Sequence, residues 1–449
     1  MDYGIISCIP IAVLIIGVLI TKKMAEMIIL ASLIGAILVY KGDFFSGYIG
    51  MMYGALSNPS YQFLLIILLG FGGMTKLFEK SGSLMGIGNA LSKYADSPKK
   101  SMVVTWVMGI IMFVDDYLNV LATSFSMRTL TDRNGVPREH LAYGVNSMGA
   151  CVCVLIPFTS WAAFAIGTIS EQGLGFSDYV RSIPYMFFPW IAIIVCLLVA
   201  IGVIPKVGLI KKAYERVAAG GPVHLEEKAG GSLVNIEVDE NTKPSTPLNF
   251  IVPIIVLIVA VLIFENDVIH GIIAALVVQA VMYIAQRIVT LEEFMGNLFE
   301  GISSMAPLAV VISFAYVLGS ANDAMGFAPY LIGIMTKAIS PQLLPAFAFI
   351  VVALVSFAAA SFWVLIIITV PIFIPLSVSM GVDPAIVVAG IMSGVAFGSK
   401  FCFYSDAVFM TSAGTGVSNM TQIKAVAPYV LGSAILAILF YLVIGFVSV

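Results

Sequence analysis

The stretch Met112-Phe113-Val114-Asp115-Asp116-Tyr117-Leu118-Asn119-Val120-Leu121 places two adjacent carboxylates inside an apolar segment running from about Met102 to Met127. A charged side chain at bilayer depth costs roughly 2.5–3.5 kcal/mol on insertion scales. Two neighbours cost more unless they share a proton, bind a cation or line a wet cavity. In one continuous helix, positions three and four apart share a face. Asn119 then lies on the face of Asp115 and Asp116, and Thr123 continues the Asn119 row. Such an oxygen-rich patch suits a desolvated small cation, which exchanges water for carboxylate, carbonyl and amide oxygens. The plainer reading is that Asp115 or Asp116 neutralises a distant lysine or arginine, or caps the N-terminus of a half-helix.

The chain of 449 residues is 60% hydrophobic and only 10% charged. A soluble domain carries about 25% charge, so this composition specifies an all-α polytopic membrane protein. At roughly 20 residues per span, the length accommodates about ten to thirteen membrane segments. A net charge of −3 without a basic tail offers nucleic acid no footing. The five cysteines (Cys8, Cys151, Cys153, Cys196, Cys402) sit in apolar stretches, and the three histidines lie far apart. Cysteine in such places behaves as a small hydrophobe, so neither a disulfide framework nor a zinc site is expected. No nucleophile–base motif or phosphate loop is evident, so neither catalysis nor a cofactor is expected. Ile5–Ile20 follows no basic region and reads as a first membrane helix, not a cleaved leader.

Residues 205–247 form the one sizeable hydrophilic stretch, a linker opening on Lys206, Lys211, Lys212 and Arg216. The positive-inside rule places it in the cytoplasm of a bacterial-type inner membrane. It separates a first membrane half, 1–204, from a second, 248–449. The short Gly-rich piece Ser81–Leu91 fits a re-entrant or interfacial segment.

The halves read as diverged copies about 240–250 residues apart. Phe45-Ser-Gly-Tyr-Ile-Gly-Met resembles Phe294-Met-Gly-Asn-Leu-Phe-Glu, and Ser97-Pro98 is followed by Ser340-Pro341. Gly135-Val136-Pro137 matches Gly381-Val382-Asp383-Pro384, and Thr159-Ser160-Trp161 falls opposite Tyr404-Ser405-Asp406. Repeats of this kind mark secondary transporters, with the site at midplane between them. The partner of the aspartates then lies near Ala358–Ser361 and in Ser399-Lys400-Phe401-Cys402-Phe403-Tyr404-Ser405-Asp406. Gly394 and Gly398 suit a broken helix there. Asn146, Ser147, Thr159, Ser160 and Ser361 are further polar candidates at depth.

The pattern Phe113-x-Asp115-Asp116-Tyr117-x-Asn119 resembles the signature of the NhaC family of sodium/proton antiporters. So do Arg128-x-Leu130-Thr131-Asp132-Arg133 and Pro137-Arg138-Glu139. The resemblance implies a scaffold plus a transport unit, inverted repeats with re-entrant hairpins, Na+ held at Asp115, Asp116 and Asn119, and commonly a homodimer. One place departs from the family. Where NhaC-like chains read Gly-Asp-His-x-Ser-Pro-x-Ser-Asp, this chain has Ser399 and Lys400 and lacks the proline, while keeping Ser405-Asp406. Lys400 is then a counter-ion to Asp406 or the aspartate pair, a built-in substitute for a bound cation, or a handle for a substrate carboxylate. The expected function is Na+/H+ antiport. The alternative is Na+- or H+-coupled transport of a small amino acid or organic acid, with a channel or intramembrane aspartyl protease as remote rivals.

Overall fold

The computed structural model describes residues 3–21, 23–225, 243–265, 267–359, 362–403 and 405–448. All its regular elements are helices. The first half contains α1 (Ile9–Thr21), α2 (Met24–Tyr40), α3 (Phe44–Ser57), α4 (Pro59–Lys80), α5 (Ser83–Ser92), α6 (Pro98–Ile111), α7 (Asp116–Arg133), α8 (Arg138–Leu155), α9 (Ser160–Ser170), α10 (Phe176–Ser182) and α11 (Phe187–Ile201). The linker carries α12 (Gly208–Ala218). The second half follows with α13 (Leu248–Ile263), α14 (Val268–Ala285), α15 (Leu291–Ala324), α16 (Phe327–Ala338), α17 (Leu344–Ala359), α18 (Phe362–Ser379), α19 (Pro384–Phe401), α20 (Asp406–Thr415) and α21 (Asn419–Ser448). Among the described residues, six helices are long and apolar enough to cross a membrane, or up to nine counting each bent pair as one span. The chain is a multi-pass membrane protein.

The apolar run 102–127 is not one helix. α6 ends at Ile111, the backbone turns through Met112–Asp115, and α7 starts at Asp116. At the far ends of these two helices, the Asn134 side chain donates to the Ala95 carbonyl (2.7 Å) and the Ser101 hydroxyl (2.8 Å). Near the turn, Asn119 Nδ2 donates to the Gly109 carbonyl at 2.6 Å. The helices therefore run antiparallel as a re-entrant hairpin, with the two aspartates at its tip. Of the two readings of Ser81–Leu91, a hairpin or an interfacial helix, the stretch forms a short helix, α5 (Ser83–Ser92).

The two halves repeat one another closely. Pro98 and Leu344, Asp116 and Phe362, Arg138 and Pro384, and Ser160 and Asp406 each begin a helix, and each pair is 246 residues apart. The turn before α8 and the turn before α19 share their hydrogen bonds, Val136 N to Thr131 O and Val382 N to Ser377 O, both 2.9 Å. Gly135 and Gly381 hold φ of 70° and 71° in these turns, a left-handed conformation natural to glycine. The register corrects two pairings: Pro98 answers Leu344, three residues on from the Pro341 expected from sequence. Thr159 answers Ser405, and Ser160 answers Asp406, one residue on from the alignment expected from sequence. The chemistry agrees, because Thr159 Oγ1 donates to Cys153 O (2.7 Å) as Ser405 Oγ donates to Ser399 O (2.9 Å).

The copies run in opposite directions. Arg138, the first residue of α8, donates to the carbonyl of Thr415, the last of α20 (3.3 Å). Arg181, in α10 beyond the end of α9, pairs with Asp383, just before α19, at 2.8 Å. The broken spans α8–α9 and α19–α20 therefore cross antiparallel, each interrupted at the same depth. The linker lies at the Arg138 end, where Arg216 of α12 grips Glu139 through two bonds of 2.8 and 3.1 Å.

Outside this unit, α4 crosses α15 backbone to backbone. A Cβ on Gly72 would stand 2.6 Å from the Gly301 carbonyl oxygen, and one on Gly301 would strike the Gly72 carbonyl. Over-packing of this kind costs about 1–3 kcal/mol. Gly301→Ala should therefore lower the melting temperature of the detergent-solubilised protein. Gly296→Ala, on the same helix with nothing within 4 Å, should not.

Candidate functional site

The hairpin α6–α7 and the broken spans α8–α9 and α19–α20 meet around the hairpin tip, and each break frees backbone groups that need partners. Asp115 closes the first. Its Oδ1 accepts from the backbone N–H of Tyr117 (3.0 Å) and Leu118 (3.2 Å), and its Oδ2 accepts from the Ser160 hydroxyl at 2.8 Å. Asp115 thus sits outside the helix as the N-cap of α7, with both oxygens engaged. The Ser160 N–H donates to the Val114 carbonyl (3.1 Å), so α9 is tied to the tip twice.

Asp116, the first residue of α7, differs from its neighbour. It is 1% exposed and its Oδ1 has no hydrogen-bond partner. The indole N–H of Trp161 lies beside it without an aligned bond. One turn on, Asn119 spends its amide N–H on Gly109 and leaves Oδ1 unpartnered, and at the next turn Thr123 Oγ1 is also unpartnered. Asn119 and Thr123 are both fully buried. Positions 116, 119 and 123 share one helix face. Three buried oxygens thus stand in a row with their acceptor capacity unused. An unmet polar group at such depth costs about 1–3 kcal/mol, more if charged, which a proton or desolvated cation would relieve.

The second half supplies the opposite wall. Ser405 caps α20, and Asp406 at its first position accepts from the Tyr117 hydroxyl at 3.2 Å, joining the halves directly. Asp406 is exposed, unlike the aspartates of α7. Lys400 is 1% exposed near the C-terminus of α19, where the helix dipole favours a cation. Its ammonium donates to the backbone carbonyl of Asn146, and Asn146 Nδ2 donates back to the Lys400 carbonyl at 2.9 Å. Among the described residues no carboxylate stands within salt-bridge distance of it, so Lys400 clamps α8 to α19 by a carbonyl contact and not by an ion pair.

Thr159 caps α9, its Oγ1 accepting from Ala162 N at 3.0 Å. Ser147 is buried on α8, engaged with Tyr143 one turn earlier, and no described hydrogen bond links it to the α7 row. Ser361 lies outside the described residues. Two participants escaped the sequence reading. Tyr117 carries no role of its own in the motif reading, because its partner is 289 positions away. Ser399, whose hydroxyl is buried and unpartnered, was noted only as a departure from a motif.

These contacts separate structural from spare carboxylates. Asp115→Ala removes the acceptor of three donors, and loss of such a cap costs about 0.5–2 kcal/mol, so the melting temperature in detergent should fall. Asp115→Asn, still a capping side chain, should recover most of it. Asp116→Asn should not lower it. Lys400→Met removes the charge-assisted bond that clamps α8 to α19 and should destabilise by about 1.5–3 kcal/mol in the same assay.

Comparison with known proteins agrees with this architecture. A family model described as "Na+/H+ antiporter family" matches residues 152–446. The match begins beyond the Phe113–Glu139 block and takes in Lys400 and Asp406. An uncharacterized protein of Haemophilus influenzae is 23% identical over 98% of this chain and 91% of its own length. Among solved structures, the YdaH transporter of Alcanivorax borkumensis superposes with a TM-score of 0.51 at 14% identity, covering 90% of this chain and 89% of that one, a likeness of fold. For MtrF of Neisseria gonorrhoeae the TM-score is 0.47 at 14% identity, covering 89% and 83%. With an inverted pair of broken spans, a capped re-entrant tip and a family match over most of its length, the chain belongs to the Na+/H+ antiporter family, the NhaC-type antiporters that its Asp115-Asp116 block resembles.

Proposed function

We propose that this secondary transporter exchanges Na+ for H+ across the plasma membrane, with the linker side facing the cytoplasm. The observation that carries this reading is the row of unpartnered buried oxygens, Asp116 Oδ1, Asn119 Oδ1 and Thr123 Oγ1. A carboxylate, an amide oxygen and a hydroxyl make a donor set for a hard monovalent cation, and the same carboxylate takes a proton when the cation leaves. Asp115 frames the site through its cap and Ser160, which leaves Asp116 as the titrating group. Such a site at the meeting of two inverted halves is open to one side at a time as the halves rock. Lys400, held by a carbonyl, is a clamp between α8 and α19 in this account, not a substrate handle.

Proton and Na+ compete for one carboxylate, so the apparent KM for Na+ should rise as pH falls. In proteoliposomes with an imposed pH gradient, the wild type should move 22Na+ against that gradient. Asp116→Asn should abolish coupled flux while retaining the wild-type melting temperature. Coupled flux surviving in Asp116→Asn would remove the α7 row as the exchange site.

A further inference from the structure

On the membrane side opposite the linker lies a cavity of about 490 Å³, bounded by the N-terminus of α4, the ends of α9 and α15, the start of α16 and one face of α18. Its volume falls within the range of small-molecule sites. It is separate from the α7 row. α9 leads from Ser160 at the hairpin tip to Glu171 at the cavity, roughly 16 Å for its 11 residues. Between the two, Trp161 and Phe164 of α9 stack on Phe362 and Trp363 of α18, with ring centroids 4.8–6.0 Å apart.

The cavity chemistry has one sign. Glu171 and Asp323 both line it, and among the described residues no lysine, arginine or histidine does. Glu171 accepts from Asn58 Nδ2 at 3.2 Å, which holds its carboxylate in place. Asn322 is 9% exposed, and its Oδ1, on the cavity lining, has no hydrogen-bond partner. The Tyr316 hydroxyl, on a residue 8% exposed, sits beside Glu171 without an aligned bond. α9 and α15 both end here, and helix C-termini present negative dipole ends. The facing wall is apolar, with Ile367, Ile368, Pro371 and Ile372 of α18.

We propose that this vestibule is a second binding site, for a small organic cation with one ammonium group on an apolar body. The ammonium sits between Glu171 and Asp323 and donates to Asn322 Oδ1, while the body lies along α18. Inorganic cations leave that apolar wall unused. Organic anions meet two carboxylates and no counter-charge.

The test is calorimetric titration of purified full-length protein with 2-phenylethylamine, with phenylacetate as the anionic control. One saturable site is expected for the amine and none for the acid. Asp323→Asn, Glu171→Gln and Asn322→Ala should each weaken amine binding about tenfold or more, as loss of a charge-assisted hydrogen bond does. Asp116→Asn should bind the amine like wild type, so failure of the antiport reading and failure of this one are distinguishable. Each variant is compared at wild-type melting temperature. If one vestibule variant misfolds, the other two decide. No saturable amine binding up to about 10 mM, equal binding of the acid, or unchanged affinity in the folded vestibule variants would overturn the proposal.

Discussion

The carboxylate of Asp115 is the interaction on which the rest of the structure depends. A helix that stops inside a membrane strands its first backbone N–H groups where no water can take them. Asp115 accepts two of those donors and uses its other oxygen to fasten Ser160 of the neighbouring broken span. Two helix starts are thereby fixed by one side chain at the same depth. With the breaks held open and satisfied, the next residue, Asp116, is positioned at the helix start with an oxygen left over. Structural and spare carboxylates are therefore adjacent by necessity, because the cap residue and the first helical residue are consecutive.

The two broken spans, one in each half and running in opposite directions, solve the same problem with weaker acceptors. Thr159 and Ser405 occupy equivalent N-cap positions, and each turns its hydroxyl back to the end of the preceding half-helix. The shared geometry gives the two copies a common depth and a common seam. Across that seam, Tyr117 meets Asp406, and Asn146 meets Lys400. Each contact joins a residue of one half to a residue of the other. Lys400 fits this seam because it lies near a helix C-terminus and finds a carbonyl there.

Much of this was legible in the chain. The apolar composition, the hydrophilic linker, the repeat spacing and the aspartate pair each carry local signals, and the Gly135 and Gly381 turns mark the repeat register to the residue. The break at Met112–Asp115 was not legible, because no glycine or proline marks it. What stabilises the break is Ser160, 45 positions away, so the stretch reads as continuous helix until the fold is known. For the same reason a helical face was expected to hold Asp115, Asp116 and Asn119 together, whereas the break moves Asp115 off that face. The reading that an aspartate caps a half-helix describes Asp115, and the row of Asp116, Asn119 and Thr123 survives without it. The partner of Lys400 is a backbone carbonyl, which no side-chain pattern can announce.

The central claim is that Asp116, with the oxygens of Asn119 and Thr123, takes Na+ in place of a proton. Proton release on Na+ binding tests it most directly, measured by titrating the purified protein calorimetrically in buffers of different ionisation enthalpy. The account predicts that Na+ binding to the wild type is accompanied by proton release that declines as pH rises and Asp116 is already ionised. Asp116→Asn should show neither the binding nor the release. Na+ binding without proton release at every pH, or equal binding and release in Asp116→Asn, would contradict it.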